Sequence, residues 1–284
     1  MRVQLSVADV RLFVDVDGAR LRPDGSEAVE VPTIAIVHDG PGADHTTFKH
    51  PAFRPPLVEV AQLLFYDQRG HGRSEKSDPE RWRLDVWADD LAALLDALGI
   101  EDAVVFGSGF GSLVATRFAG RHPDRLTKLI LSRPVARFDP ARSVEVFART
   151  QGADSAAAAL DFYATPSEVT FAPWVMAVLR SFPGPTPVEI AELLLSADWF
   201  SRPAIHWYGG EAREFDLRDD ASRVRVPTLV LAGEDDALMP MAGARELVAA
   251  FDPALVRFER FRAGNSLYAQ DPRAMDVTLA FLGD

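Results

Sequence analysis

The chain has 284 residues, 48% hydrophobic and 25% charged, with a formal net charge of -12 and a pI near 5.0. That size suits one globular domain with an insertion, or two small domains, and the acidity argues against a nucleic-acid partner, since phosphate binding wants a basic face. There is no cysteine, which excludes disulfides, a thiolate nucleophile and thiolate metal ligands.

From the N-terminus, Val3–Val7 and Val10–Val16 alternate like antiparallel strands, and Pro23-Asp24-Gly25 reads as a turn. The opening stretch lacks the apolar core of a signal peptide, and no run approaches the roughly 18 apolar residues of a membrane span. A cytoplasmic protein without membrane association is expected. Thr33–Val37 is a short apolar run ahead of His38-Asp39-Gly40-Pro41-Gly42. Ala61–Tyr66 is another, ahead of Asp67-Gln68-Arg69-Gly70-His71-Gly72-Arg73-Ser74. Within Arg83–Leu98, Val86, Leu91, Leu94, Leu95 and Leu98 fall at helical spacing. Ala103–Phe106 reads as a buried strand running straight into Gly107-Ser108-Gly109-Phe110-Gly111, then a helix to about Gly120 and a strand over Leu126–Leu131.

Strands alternating with helices predict a parallel sheet. The stretch from Arg137 to about Asp220 interrupts the alternation. It is rich in Ala and Leu, carries Trp174, Trp199 and Trp207, and reads as helices forming a cap inserted between strands. Pro227–Leu231 resumes the sheet, followed by a helix near Ala242–Ala250, a last strand over Leu255–Phe261 and a closing helix over Pro272–Leu282. The expected organisation is a core over 1–136 and 221–284, with a helical cap over 137–220.

Three loops therefore follow strand ends, where open parallel sheets form their sites. They are His38-Asp39-Gly40-Pro41-Gly42, Asp67–Ser74 and Gly107-Ser108-Gly109-Phe110-Gly111. Their order and spacing resemble the α/β-hydrolase superfamily, in particular its proline-iminopeptidase-like branch. That branch has His-Gly-Gly-Pro-Gly, then Asp-Gln-Arg-Gly-x-Gly-x-Ser, then Gly-x-Ser-x-Gly. The resemblance covers nearly the whole chain, least closely in the cap. It implies an α/β-hydrolase fold, with a mostly parallel central sheet flanked by helices and an inserted helical cap. It also implies a serine nucleophile on a sharp strand-to-helix turn, a histidine base and an aspartate, beside an oxyanion hole of backbone N–H groups.

Two residues depart from that pattern. Gly107 and Gly111 align with the flanking glycines, so Gly109 stands at the nucleophile position and Ser108 lies one residue early. The histidine site falls in Gly264-Asn265-Ser266-Leu267-Tyr268-Ala269-Gln270-Asp271-Pro272, where Asn265 replaces the imidazole. The six histidines are His38, His45, His50, His71, His122 and His206, and none lies beyond the cap. Asparagine has no proton to exchange near neutral pH, so it is no general base. Asp236, in Gly233-Glu234-Asp235-Asp236, matches the acid, either as a relic turn residue or as a partner for the Asn265 amide. The oxyanion hole, built from the Phe110 N–H and that of Asp39 or Gly40, does not depend on the lost side chains.

Other residues carry open readings. His45 either lines the pocket mouth as an acid or base or packs its loop. His38 either handles protons or, like His71, fixes loop geometry. His122 reads as a surface helix end, and His206 and Trp207 as cap residues facing a ligand. Glu211 and Glu214 read as solvated carboxylates. Gly107-x-Gly109-x-Gly111 is not a dinucleotide fingerprint, since Ser112 stands at the last place and the segment is mid-sheet. No cofactor is expected, and no cluster has metal-ligand spacing.

Three functions follow. The first is an enzyme that keeps pocket and oxyanion hole but drops covalent catalysis, acting on a small, largely apolar carbonyl compound, with Asp236, His45 or His38 moving protons. Decarboxylation, cyclisation, elimination or C–C bond chemistry would suit it, in small-molecule metabolism such as that of natural products. The second is an inactive binder of a small molecule or protein. The third is a hydrolase using water directly, or Ser108 or Ser266. If the scaffold is otherwise intact, Gly109→Ser with Asn265→His should restore some esterase activity.

Overall fold

The computed structural model describes residues 1–181 and 201–284; Trp199 lies outside them. The ten strands among the described residues are β1 (Arg2–Val7), β2 (Val10–Asp17), β3 (Leu21–Asp24), β4 (Glu27–Glu30), β5 (Thr33–Val37), β6 (Gln62–Tyr66), β7 (Ala103–Ser108), β8 (Leu126–Ser132), β9 (Thr228–Gly233) and β10 (Val256–Phe261). Eight form one sheet in the order β1-β2-β6-β5-β7-β8-β9-β10, and β3 and β4 form a separate hairpin. From β6 to β10 all pairings are parallel, with Ile36 opposite Phe106 and Phe106 opposite Ile130. β1 and β2 are antiparallel additions at one edge. The fold is the α/β-hydrolase architecture expected.

The strand sequences explain the layering. β5, β7 and β9 are buried at every position, as strands covered on both faces must be. Successive side chains serve opposite layers. Val105 joins the core containing Trp87, Leu91 and Phe118, whereas Val104 and Phe106 join the core containing Phe53, Phe65 and Phe281. The helices Leu84–Ala97 and Phe110–Arg121 cover the first face, and Arg54–Val58 and Arg273–Gly283 pack on the second. Between β8 and β9 the described part of the insertion supplies the helices Pro140–Gln151, Ala153–Ala164, Glu168–Arg180 and Ser201–Gly209.

This order places the site. β5 connects to β6 on one side, while β7 connects to β8 on the other. The crevice where adjacent connections diverge is the usual ligand position of an open α/β sheet. Here it lies beyond Val37 and Ser108, between the first loop and the third. The backbones crowd there: a Cβ on Gly111 would collide with the carbonyls of Val37 and His38, and one on Gly107 with that of Gly111. Only glycine permits that approach.

Candidate functional site

The chain turns from β7 into the helix Phe110–Arg121 through Gly109, at φ 52° and ψ -119°. That left-handed conformation favours glycine. A side chain here would meet more than backbone strain, because its Cβ would collide with the Asp39 carboxylate and lie 2.5 Å from Arg133 Nη2.

Asp39 is the centre of the site. Its Oδ1 accepts the Phe110 N–H at 2.9 Å and the Gly40 N–H at 2.8 Å. They are the Phe110 N–H and one of the two alternatives, Asp39 or Gly40, that the resemblance assigns to an oxyanion hole. The expectation that they stand free for a carbonyl is therefore corrected: a carboxylate of the chain itself holds both. The physical reason is local. A backbone N–H at the start of a helix is an anion site, and Asp39 sits within one residue of the second donor.

Arg133 fixes the arrangement from β8. It is non-glycine at φ 56° and 2% exposed, a combination that surroundings must over-determine. One guanidinium nitrogen donates to Asp39 Oδ2, and the other donates to Asp236 Oδ2 at 3.2 Å. Burial would push this guanidinium down, but the two carboxylates outweigh it and hold it above its ordinary value. The Oδ1 of Asp236 accepts the Leu238 and Met239 N–H groups, each at 2.9 Å. Burial, aided by the charge of Asp39, holds this carboxyl above its ordinary value, although Arg133 and the two N–H groups oppose it. Every contact to Asp236 is a donor, which suits the ionised form. Its partner is thus Arg133, not Asn265, whose Oδ1 is buried without a hydrogen-bond partner.

A cavity of about 130 Å³ opens on this cluster, lined by Asp39, Gly40, Ser108, Arg133, Asn265 and Ser266 and walled by Phe48, Phe53, Trp174, Leu238, Leu267 and Tyr268. An engineered apolar cavity of roughly 150 Å³ holds benzene, so a single ring is the scale. Among the described residues no serine hydroxyl is hydrogen-bonded to an imidazole, and no group of side chains has metal-binding geometry.

Several expected site residues lie elsewhere. His45 does not line the cavity. It is 1% exposed, stacks on Phe13, and contacts Asp67 Oδ1 through Nδ1 at 2.5 Å. It therefore cannot reach a ligand as an acid or base. His38 is fully buried; its Nε2 accepts the Gln68 N–H, so Nδ1 carries the proton donated to the Asp39 carbonyl. Burial lowers its pKa, and both nitrogens are spoken for. Trp207 packs on Trp87, Phe110 and Phe215, and half-buried His206 meets Trp82 edge-on, so neither faces the cavity; Trp174 is the tryptophan that does. Phe110 contributes its N–H, while its ring is core. His122 contacts Asp89 at 2.8 Å. Glu214 is exposed, but Glu211 accepts the Leu84 N–H at 3.0 Å and so caps a helix that lacks a cap of its own.

Two central residues escape the sequence reading. Asp39 is considered there for its backbone alone, although it stands where the resembling pattern has its first Gly, a third departure visible in the loop itself. Arg133 follows β8 with no local signal, since its partners are 94 and 103 residues away.

The model of the α/β hydrolase fold matches residues 32–264, and the chain belongs to this family. It is 30% identical over 223 residues to a putative carbamate hydrolase RutD of Caulobacter sp. (strain K31), covering 74% of this chain and 81% of that protein. It is 24% identical over 241 residues to a proline iminopeptidase of Lactobacillus helveticus, covering 75% and 77%. The solved structure of VinJ superimposes with a TM-score of 0.77 at 22% identity over 100% of this chain and 98% of that one.

Proposed function

We propose that this chain is a non-hydrolytic member of the family that binds a small molecule in the cavity over Asp39. The observation that carries the reading is the Asp39 carboxylate on the Phe110 and Gly40 N–H groups. An acyl-transfer enzyme needs those donors for the oxygen that becomes negative in the transition state. It also needs a nucleophile with a base in reach. Here Gly109 occupies the turn and Asn265 the histidine site, so the triad is degenerate as well as obstructed. Hydrolysis of a carbamate, the activity in its relative's name, would require every one of these parts.

The non-covalent enzyme reading weakens for the same reason. It rests on N–H groups free to polarise a carbonyl, which Asp39 holds, and on Asp236, His45 or His38 as proton carriers, all of which are buried. Freeing the donors would take Asp39 off both N–H groups and off Arg133, and hydrogen bonds to a charged group are each worth roughly 1.5–3 kcal/mol. The binder reading needs no such rearrangement. Intact-mass spectrometry after treatment with a fluorophosphonate tests it. No adduct is expected, and no turnover of 4-nitrophenyl acetate above a protein-free blank; stoichiometric labelling of Ser108 or Ser266 would refute the reading.

A further inference from the structure

We propose that the cavity selects a small organic cation, a protonated amine carrying an apolar group about the size of one ring. The inference rests on the binder reading and names its ligand class. Three observations on the cavity converge. The first is charge. Among the described residues, Asp39 and Asp236 oppose Arg133 alone, leaving one negative charge uncompensated at the base of the site. The second is access. The Asp39 side chain is 28% exposed while that of Arg133 is 2% exposed and that of Asp236 fully buried. A ligand therefore meets more of the carboxylate than of the guanidinium. The third is the wall. Phe48, Phe53, Trp174 and Tyr268 line the same space, and aromatic rings favour a cation whose apolar surface lies against them.

The remaining lining groups agree. Among the described residues, Arg133 and His50 are the basic side chains there. His50 Nδ1 accepts the Ala52 N–H and burial lowers its pKa, so no second cation competes for Asp39. Ser132 Oγ and Asn265 Oδ1, both on lining residues, are buried oxygens without partners, and such atoms gain most from an added donor. Asp39 already receives three donors, whereas a carboxylate has about four acceptor sites, so one remains. A ligand carboxylate would instead face Asp39 across a poorly solvated space, where like charges repel strongly.

Calorimetric titration of the full chain with cyclohexylamine, cyclohexanol and cyclohexanecarboxylate at neutral pH tests this. These share one ring and differ in charge. The amine should bind at least about tenfold more tightly than the alcohol, because a charge-assisted hydrogen bond exceeds a neutral one, and the carboxylate should not bind. Asp39→Asn should reduce the amine to the level of the alcohol. If that variant does not fold, Leu238→Lys, which brings an ammonium to the cavity wall, must abolish amine binding. Equal binding of amine and alcohol, preference for the carboxylate, or no binding by any of the three would overturn the ligand class. Failure of the binder reading is separately visible, because only that failure produces a fluorophosphonate adduct.

Discussion

Two polar clusters among the described residues divide the requirements of catalysis between them. Around His45 lie Asp67 at 2.5 Å, Asp15 at 3.8 Å and Lys49, itself 3.1 Å from Asp15. An imidazole stands there between acids, but His45 is 1% exposed and roofed by Phe13 and Phe65. Around Gly109 the opposite holds. The cavity is open and sits at the divergence of the sheet connections, yet its charged groups are Asp39, Arg133 and Asp236, each committed to another. The chemically able group has no access, and the accessible group is tied down. Residue type alone therefore misleads about function; the hydrogen-bond ledger of each group decides.

The comparison breaks most visibly at Arg133. Arg133→Met should destabilise the fold by about 3–5 kcal/mol, since it strands buried Asp236 and Asp39 without a counter-charge. Denaturant midpoints measure it, and a loss under about 1 kcal/mol would mean that the pair is a surface-like contact.

Gly109→Ser comes next, at about 2–4 kcal/mol, combining strain at positive φ with overpacking against Asp39. This revises the expectation for Gly109→Ser with Asn265→His. That double variant should show no esterase activity, because the Asp39 carboxylate still occupies the N–H pair. Adding Asp39→Gly is required for any gain, and a 4-nitrophenyl acetate assay of both combinations checks it.

The sealed cluster makes a pH-dependent prediction. Burial pushes the Asp67 carboxyl up, but hydrogen bonds and charge from His45, with help from His38, bring it from 3.8 down to about 2. A carboxyl depressed in the folded state contributes stability above its unfolded value, and that contribution is lost as pH falls toward the folded one. Relative to Asp67→Asn, the wild type should gain roughly 2 kcal/mol at neutral pH, an advantage shrinking between about pH 4 and pH 2. Parallel unfolding curves across that window would contradict it. The smallest effect is Glu211→Ala, which uncaps the helix Leu84–Ala97 and should cost about 1 kcal/mol in thermal unfolding.

The fold was legible because its signals are local. Runs such as Thr33–Val37 and Ala103–Phe106, and the helical spacing over Arg83–Leu98, locate their elements to within two residues or so. The hairpin of β3 and β4 shows only as a turn, because its strands are largely exposed and so lack an apolar face. In the site, Gly109 and Asn265 were readable by position within a motif. The Asp39 side chain was not, because a loop residue's direction is set by what meets it, here Arg133 just after the distant strand β8. Trp174 and Trp207 were likewise indistinguishable, since the insertion's helices lack a pattern strong enough to show which face turns inward.

The central claim is that Asp39 serves as the chain's own anion on the Phe110 and Gly40 N–H groups. Thermal unfolding of the wild type and Asp39→Gly, each titrated with acetate, tests it most directly. The variant leaves Arg133 paired with Asp236 and vacates a carboxylate-shaped site, so acetate should raise its melting temperature saturably and leave the wild type unmoved. An identical response of the two proteins to acetate would contradict the account.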